Sequence, residues 1–461
     1  MSTPATGHRP GPGARLLARW RRLERRVRGE ITWNRIYRAT SYVKSALWVV
    51  PLVAIVLDLA FAPVLRELDR ALGWKLTGLD EAGATALFQT VITLTLSFLV
   101  FTFGSLLVAI QVAGGQLTPR IIATTLLRDN VVRYSVGLFV FTLVLTVTAL
   151  NRVTVSVHQI VVVVVAVLGI ACMATFLFLI DYAARLLRPV SILSRVGEEG
   201  LKVIDAVYPE TVGGLGGDTA APWAAPGAPA RTMSHEGSSE IVLAVDLATL
   251  VAEARRRDGV IELAPQVGDF LAFGEPLFHL YGGAAAVPNR KLEAAVALGP
   301  ERTLEQDPMF AFRILVDIAL KALSPAINDP TTAVLALDQV HRLLRIVGRR
   351  QLRAEAIRDP AGAVRVIFRT PNWEDFVHIA CTEVRACGAS SVQVARRLRA
   401  MLVDLLRLLP AHRHPSLRTE LELLDRTLEV HYREPEDLAL ARIPDVQGLG
   451  GSTRGQPGAA P

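Results

Sequence analysis

Four long, almost uncharged apolar runs before residue 181 constrain this chain more than anything else in it. They cover Ser45 to Pro63, Ala84 to Ala113, Val131 to Leu150 and Val157 to Ile180. A helix of about 18 or more apolar residues can span the ~30 Å hydrocarbon layer of a bilayer. Within that layer the backbone must satisfy its own hydrogen bonds, which favours helices for runs of this kind. The expectation is an α-helical membrane domain of four transmembrane helices followed by an α+β cytoplasmic domain.

Charge supplies an orientation. The formal net charge of +7 comes from one arm, because residues 1–45 hold eleven Lys and Arg against Glu24 and Glu30. Lys and Arg flanking a span favour the cytoplasmic side. Basic residues recur at Arg120 and Arg128 after the second run, and at Arg185, Arg188 and Arg195 after the fourth. The loop after the first run is mixed, and the third loop has only Arg152. This predicts both termini in the cytoplasm, in a multi-pass protein of a bacterial inner (plasma) membrane. The arm has no short apolar core of the kind a signal peptide needs.

Within the arm, Leu16, Trp20, Leu23, Val27 and Ile31 fall at helical spacing with arginines between them. Such a helix suits a bilayer surface with anionic headgroups. Beside a transmembrane span that reading is preferred to nucleic-acid binding. The arm is thus read as 1–44, partly disordered, and the membrane domain as 45–181.

The second run is long enough to exceed the hydrocarbon layer, with Gly114-Gly115 as a natural break. Thr90, Thr93, Ser97, Gly104, Ser105 and Gln111 fall on one face of it, and Thr95 and Thr102 on another. A small, hydroxyl-rich stripe either lets helices pack closely or, repeated around a symmetry axis, lines a polar pathway. Asp58 is the one carboxylate within a span. An intramembrane acid is a functional candidate, although near the outer end of its run it could also reach water or Arg152.

Beyond the spans, 182–239 reads as a juxtamembrane helix and a Gly/Pro/Ala-rich linker. Residues 240–287 read as a small β unit, 288–441 as a mainly helical domain and 442–461 as a disordered tail. Gly268-Asp-Phe and Gly274-Glu-Pro-Leu resemble the strand–turn–strand of barrel-sandwich-hybrid domains, without a lysine for cofactor attachment. Asp307-Pro308 and Asp329-Pro330 are helix-start signals. Arg313, Asp317 and Lys321, four apart, suggest a solvated or partner-facing ion-pair row. Between two helices, Ser324, Asn328, Asp329 and Thr331 either cap and turn the chain or form a small ligand or gating loop.

The three cysteines form no CxxC spacing, which fits a reducing compartment. No phosphate-binding, dinucleotide, metalloprotease or nucleophile-elbow motif occurs, so neither an enzyme nor a cofactor is expected.

Thr102-Phe-Gly-Ser-Leu-Leu-Val-Ala-Ile-Gln111, Gln116-Leu-Thr-Pro-Arg120, Ala322-Leu-Ser-Pro-Ala-Ile-Asn-Asp-Pro-Thr-Thr-Ala333 and Trp373-Glu-Asp resemble a bacterial family of predicted membrane proteins carrying a domain of unknown function. The resemblance runs from about Ile31 to Tyr432 and implies an integral inner-membrane protein. It implies no activity. The residues themselves point to an oligomeric channel or transporter, a homo-oligomer because one polar helix face cannot enclose a pathway alone. The alternative is a membrane-anchored sensor or scaffold whose cytoplasmic domain binds a ligand or protein.

Overall fold

The computed structural model describes residues 32–46, 48–72, 78–116, 129–153, 158–186, 188–211, 227–352 and 356–451. The arm's stripe from Leu16 to Ile31 and the segment 117–120 lie outside the described residues. Contacts divide the chain into two compact units. One comprises Met1–Tyr42, Pro222–Arg302 and Glu355–Arg369, the other Val43–Ala221, Thr303–Ala354 and Thr370–Pro461.

Chain order begins with α1 (Trp33–Ser45), α2 (Val49–Leu72), α3 (Glu81–Gln116), α4 (Asn130–Leu150), α5 (Gln159–Leu186) and α6 (Pro189–Val207). Helices α2 to α5 contain four segments long and apolar enough to cross a membrane. They pack because each has one inward stripe. On α3 this is Ala84, Phe88, Val91, Thr95, Phe98, Thr102, Leu106 and Ala109 at spacings of three or four, all buried. Phe98 stacks on Phe176 of α5 with ring centroids 4.3 Å apart. Gly137 of α4 lies against Val50 of α2, and Gly169 of α5 against Val91. α3 runs unbroken through Gly114-Gly115 to Gln116, because those glycines satisfy the helical ladder as other residues do. The expected break does not occur.

The same unit continues through α9 (Pro308–Ala322), α10 (Pro330–Val347), α11 (Trp373–Gly388), α12 (Val392–Leu408), α13 (His414–His431) and α14 (Pro435–Ala441). With α6 these helices enclose one core, including Ile192, Phe312, Leu337, Trp373, Phe376 and Leu402. Asp307 and Asp329 cap α9 and α10 with a following proline, as their sequence signals predict. Arg313 and Asp317 form the expected ion pair four residues apart, and the row extends to a neighbouring helix. Arg313 donates to Asp317 at 2.6 Å and reaches both carboxylate oxygens of Glu383 on α11.

In the other unit, β1 (Arg231–Ser234), β2 (Glu240–Val245), α7 (Leu247–Arg256), β3 (Gly259–Leu263), β4 (Phe270–Leu271), β5 (Pro276–Gly282), α8 (Asn289–Ala294) and β6 (Val296–Gly299) are joined by β7 (Ala356–Arg358) and β8 (Val364–Phe368). Two sheets form, ordered β1-β5-β3-β8-β7 and β4-β2-β6. β4 and β5 lie in different sheets, so the Gly-Asp-Phe…Gly-Glu-Pro-Leu segment crosses between sheets rather than making a hairpin. Trp33 and Tyr37 of α1 stack on one another and pack against Leu243, Ala244 and Ala297.

Four boundaries differ from the sequence reading, and the first is that α8 and β6 carry the β unit past residue 287 to Gly299. The end of the expected linker forms β1, which pairs with β5. β8, read as a strand inside the mainly helical region, joins β7 to complete the β unit through the parallel pairing of Ile261 with Val366. Residues 442–451, read as the start of a disordered tail, are ordered: Asp445 is buried and accepts from the N–H groups of Gln447, Gly448 and Gly450.

Candidate functional site

The hydroxyl stripe of α3 faces away from its own bundle. Thr90, Thr93, Ser97, Gly104 and Gln111 are exposed and Ser105 is half-buried. Each hydroxyl donates to its own helix: Thr90 to the Ala86 carbonyl at 2.8 Å, Thr93 to Gln89 at 2.9 Å, Ser97 to Thr93 at 2.8 Å and Ser105 to Thr102 at 3.0 Å. Back-bonding satisfies the donor and leaves the oxygen lone pairs outward. Gly104 and Ser105 also border a hollow of about 470 Å³ between α3 and α5, with Phe176 and Tyr182 on its other wall.

The opposite face of α3, with Thr95 and Thr102, joins a second polar set. Thr95 and Thr102 of α3, Thr142 and Thr146 of α4 and Cys172 of α5 are all buried. The Cys172 thiol donates to Thr142 Oγ1 at 3.3 Å, and Thr146 Oγ1 donates to the Thr142 carbonyl at 2.6 Å. Their four-residue spacing was visible in the third run, but hydroxyls in apolar helices carry no mark of which way they turn.

Asp58 joins this interior set. α2 continues past Pro63 to Leu72, so the residue lies well inside its helix rather than near an end. Its side chain is fully buried, and neither carboxyl oxygen has a hydrogen-bond partner. It reaches neither water nor Arg152. Ala54, Asp58, Ala62 and Leu65 form the inward face of α2, which places the acid against α4.

Both ends of the bundle carry charge. At one, Asp129 caps α4 through the N–H groups of Val131 and Val132, and also accepts from Tyr182 Oη at 2.5 Å and Arg195 Nη1 at 2.8 Å. At the other, Asp69 accepts from the Ile160 N–H at 2.8 Å and pairs with His158 Nδ1 at 2.9 Å. A small hollow there is lined by Ala62, Leu145, Thr148, Arg152 and His158. Asp129 followed by Asn and an apolar run was a legible cap, but its tie to Arg195 was not.

The 324–331 segment is a tight connector. Asp329 accepts from the N–H and hydroxyl of Thr332 at 3.0 and 2.6 Å, and its own N–H donates to the Ala322 carbonyl. Ser324 Oγ donates to the Lys321 carbonyl at 2.7 Å. Asn328 is left-handed at φ +49°, a conformation asparagine tolerates better than most residues. Asn328 and Thr331 present their side chains to solvent. Among the described residues no three His, Cys, Asp or Glu side chains are grouped to hold a metal.

A second polar network crosses the helical core. His341 Nε2 lies 2.7 Å from Asp404 Oδ2, and Arg397 donates to His341 Nδ1 at 3.2 Å and to Asp338 at 2.6 Å. Arg397 fixes the tautomer, leaving Nε2–H to donate to Asp404. Burial and the Arg397 guanidinium hold the imidazole below the usual histidine range. No motif announced this set, since its members come from two helices distant in sequence.

Uncharacterized proteins of Mycobacterium tuberculosis and Mycobacterium bovis are each 25% identical to this chain over 432 residues, spanning 88% of it and 81% of the relative. No solved structure matches. Residues 44–404 match the family described as "Predicted membrane protein (DUF2254)". That match takes in the four apolar helices, the connector at 324–331 and most of the α/β region, and the chain belongs to this family of predicted membrane proteins.

Proposed function

We propose that the protein is an oligomeric channel or transporter of a bacterial inner membrane, with α3 of each copy lining the pathway and the α/β region gating it. The observation that carries this is the outward direction of Thr90, Thr93, Ser97, Gly104 and Gln111. A stripe turned away from its own bundle can serve a pathway only between copies. Its hydroxyls donate inward and offer oxygen lone pairs outward, a surface that replaces the hydration of cations better than that of anions. The basic residues flanking the spans favour both termini in the cytoplasm, with the N-terminal arm on anionic headgroups and no nucleic-acid role.

The test is ion flux through full-length protein in liposomes, beside Thr93→Leu and Ser97→Leu. Cation flux in wild type that disappears in the variants supports the reading. Equal flux in all three overturns the placement of the pathway along α3.

One observation favours the sensor alternative. In the β unit a hollow of about 300 Å³ is lined by Arg38, His235, Glu236, Glu240 and Glu293. Mixed charge around an open volume suits a small polar ligand. Thermal stabilisation of the full chain by such a compound, without flux, would favour a sensor.

A further inference from the structure

Asp58 is one of five polar side chains at a common level in the bundle. Packing of Gly137 on Val50, and ring contact of Phe61 with Phe141 at 6.1 Å, align Asp58 of α2 with the Thr142–Thr146 turn of α4. Contact of Phe98 with Phe139 at 5.9 Å and with Phe176 aligns Thr95 with Thr142 and Cys172. Each helix therefore contributes to one layer, Asp58 from α2, Thr95 from α3, Thr142 and Thr146 from α4 and Cys172 from α5, and all are buried.

A carboxyl group in such a layer needs neutralisation. An ionised carboxylate without a donor or cation is among the least tolerated states in an apolar interior. The helices packed on α2 are α4 and α5. At this level they present the Thr142 and Thr146 hydroxyls and the Cys172 thiol. Their charged groups stand at the ends of the bundle: Asp129, Arg133, Asp181 and Arg185 at one, Arg152 and His158 at the other, with Asp69 on α2 itself. A proton neutralises such a carboxyl without the shell of oxygen ligands that a metal cation requires.

One hollow lies within a helical turn of Asp58 along α2. Ala62, one turn beyond Asp58 on the same face, lines the small hollow that also holds Leu145, Arg152 and His158. His158, whose Nδ1 lies 2.9 Å from Asp69 Oδ2, lines the same hollow.

We infer that Asp58 is the proton-binding site of the membrane domain, exchanging with the aqueous phase at the His158–Asp69 end of the bundle. The site lies inside each chain, so it does not depend on a pathway along α3. A carboxyl of this kind persists as a neutral acid within the bilayer, the state in which intramembrane acids serve as proton carriers.

The probe is dicyclohexylcarbodiimide, an apolar reagent that adds to protonated carboxyl groups. Full-length protein in liposomes is treated over a pH series, with and without sodium, and the adduct is located by mass spectrometry. The expected result is an adduct on Asp58 that diminishes as pH rises and does not respond to sodium. His158→Gln is expected to slow proton exchange, read as a slower pH-jump response of the Asp58 carboxylic C=O infrared band, a band missing in Asp58→Asn. No adduct on Asp58 at any pH overturns the inference. An adduct governed by sodium rather than pH overturns it too, in favour of a metal-cation site. Neither outcome depends on flux, so each is distinguishable from failure of the channel reading.

Discussion

Arg195 donates to Asp129 at 2.8 Å, so a residue of α6 is fastened to the cap of α4. The same carboxylate holds the Val131 and Val132 N–H groups and the Tyr182 hydroxyl. One side chain thereby starts a membrane-length helix and ties two others to it.

Asp129→Ala removes the cap and leaves Arg195 and Tyr182 without their acceptor. Loss of a cap costs about 1 kcal/mol, and removing one partner of a buried ion pair costs about 3–5 kcal/mol. Because the Arg195 side chain is one-third exposed, the expected total is about 2–4 kcal/mol. Arg195→Gln should cost less, about 1 kcal/mol. Thermal unfolding in detergent, read as a double-mutant cycle, should show the two effects to be less than additive.

Acid should loosen the helical core through His341. Its native imidazole titrates below the ordinary value of 6.5 because of burial and Arg397. Between those two values the unfolded chain binds a proton that the native chain does not, so stability rises with pH. The contribution is complete above pH 6.5 and is lost as pH falls below it. The melting temperature should therefore drop on acidification in wild type, and drop less in His341→Gln. Parallel pH profiles would dismiss His341 as the responsible group.

The ordered end of the chain rests on Arg396 as well as Asp445. Arg396, fully buried, donates to the Ile443 carbonyl at 2.9 Å and the Gly450 carbonyl at 2.7 Å. Asp445→Ala leaves three N–H groups without an acceptor, at a local cost of about 2–3 kcal/mol. Limited trypsin digestion should then cut after Arg442 much faster than in wild type, with the rest of the chain unchanged.

At Asn328 the backbone conformation sets the outcome. Asn328→Ala should lower stability by about 1 kcal/mol, the penalty of a left-handed residue with a Cβ, whereas Asn328→Gly should be close to neutral. If the side chain instead binds a ligand, glycine will abolish activity while leaving stability intact. Measuring both properties on both variants separates the two roles.

The sequence showed best what depends on local physics. Four apolar runs became four membrane-length helices, and Asp307 and Asp329 became caps. It showed least what depends on facing. Thr95 and Thr93 differ by two positions, yet the first is buried in the bundle and the second turned outward. The burial of Asp58 could not be read from its place in an apolar run either, because the run ends at Pro63 while the helix does not. Proline inside a helix removes one donor but did not stop α2.

β8 supplies the strand beside β3, yet it follows β3 only after α9 and α10 have been made. The register pairs Leu263 with Phe368. During synthesis, β1 to β6 emerge first, and β3 keeps one edge unpaired until Phe368 has left the ribosome. Non-local pairing of this sort folds slowly, and an open edge invites association with other chains. A nascent or truncated protein ending between Arg302 and Phe368 would therefore be expected to aggregate or require a holdase. Release from that requirement would coincide with the appearance of a segment that looks, by position alone, like part of the helical core.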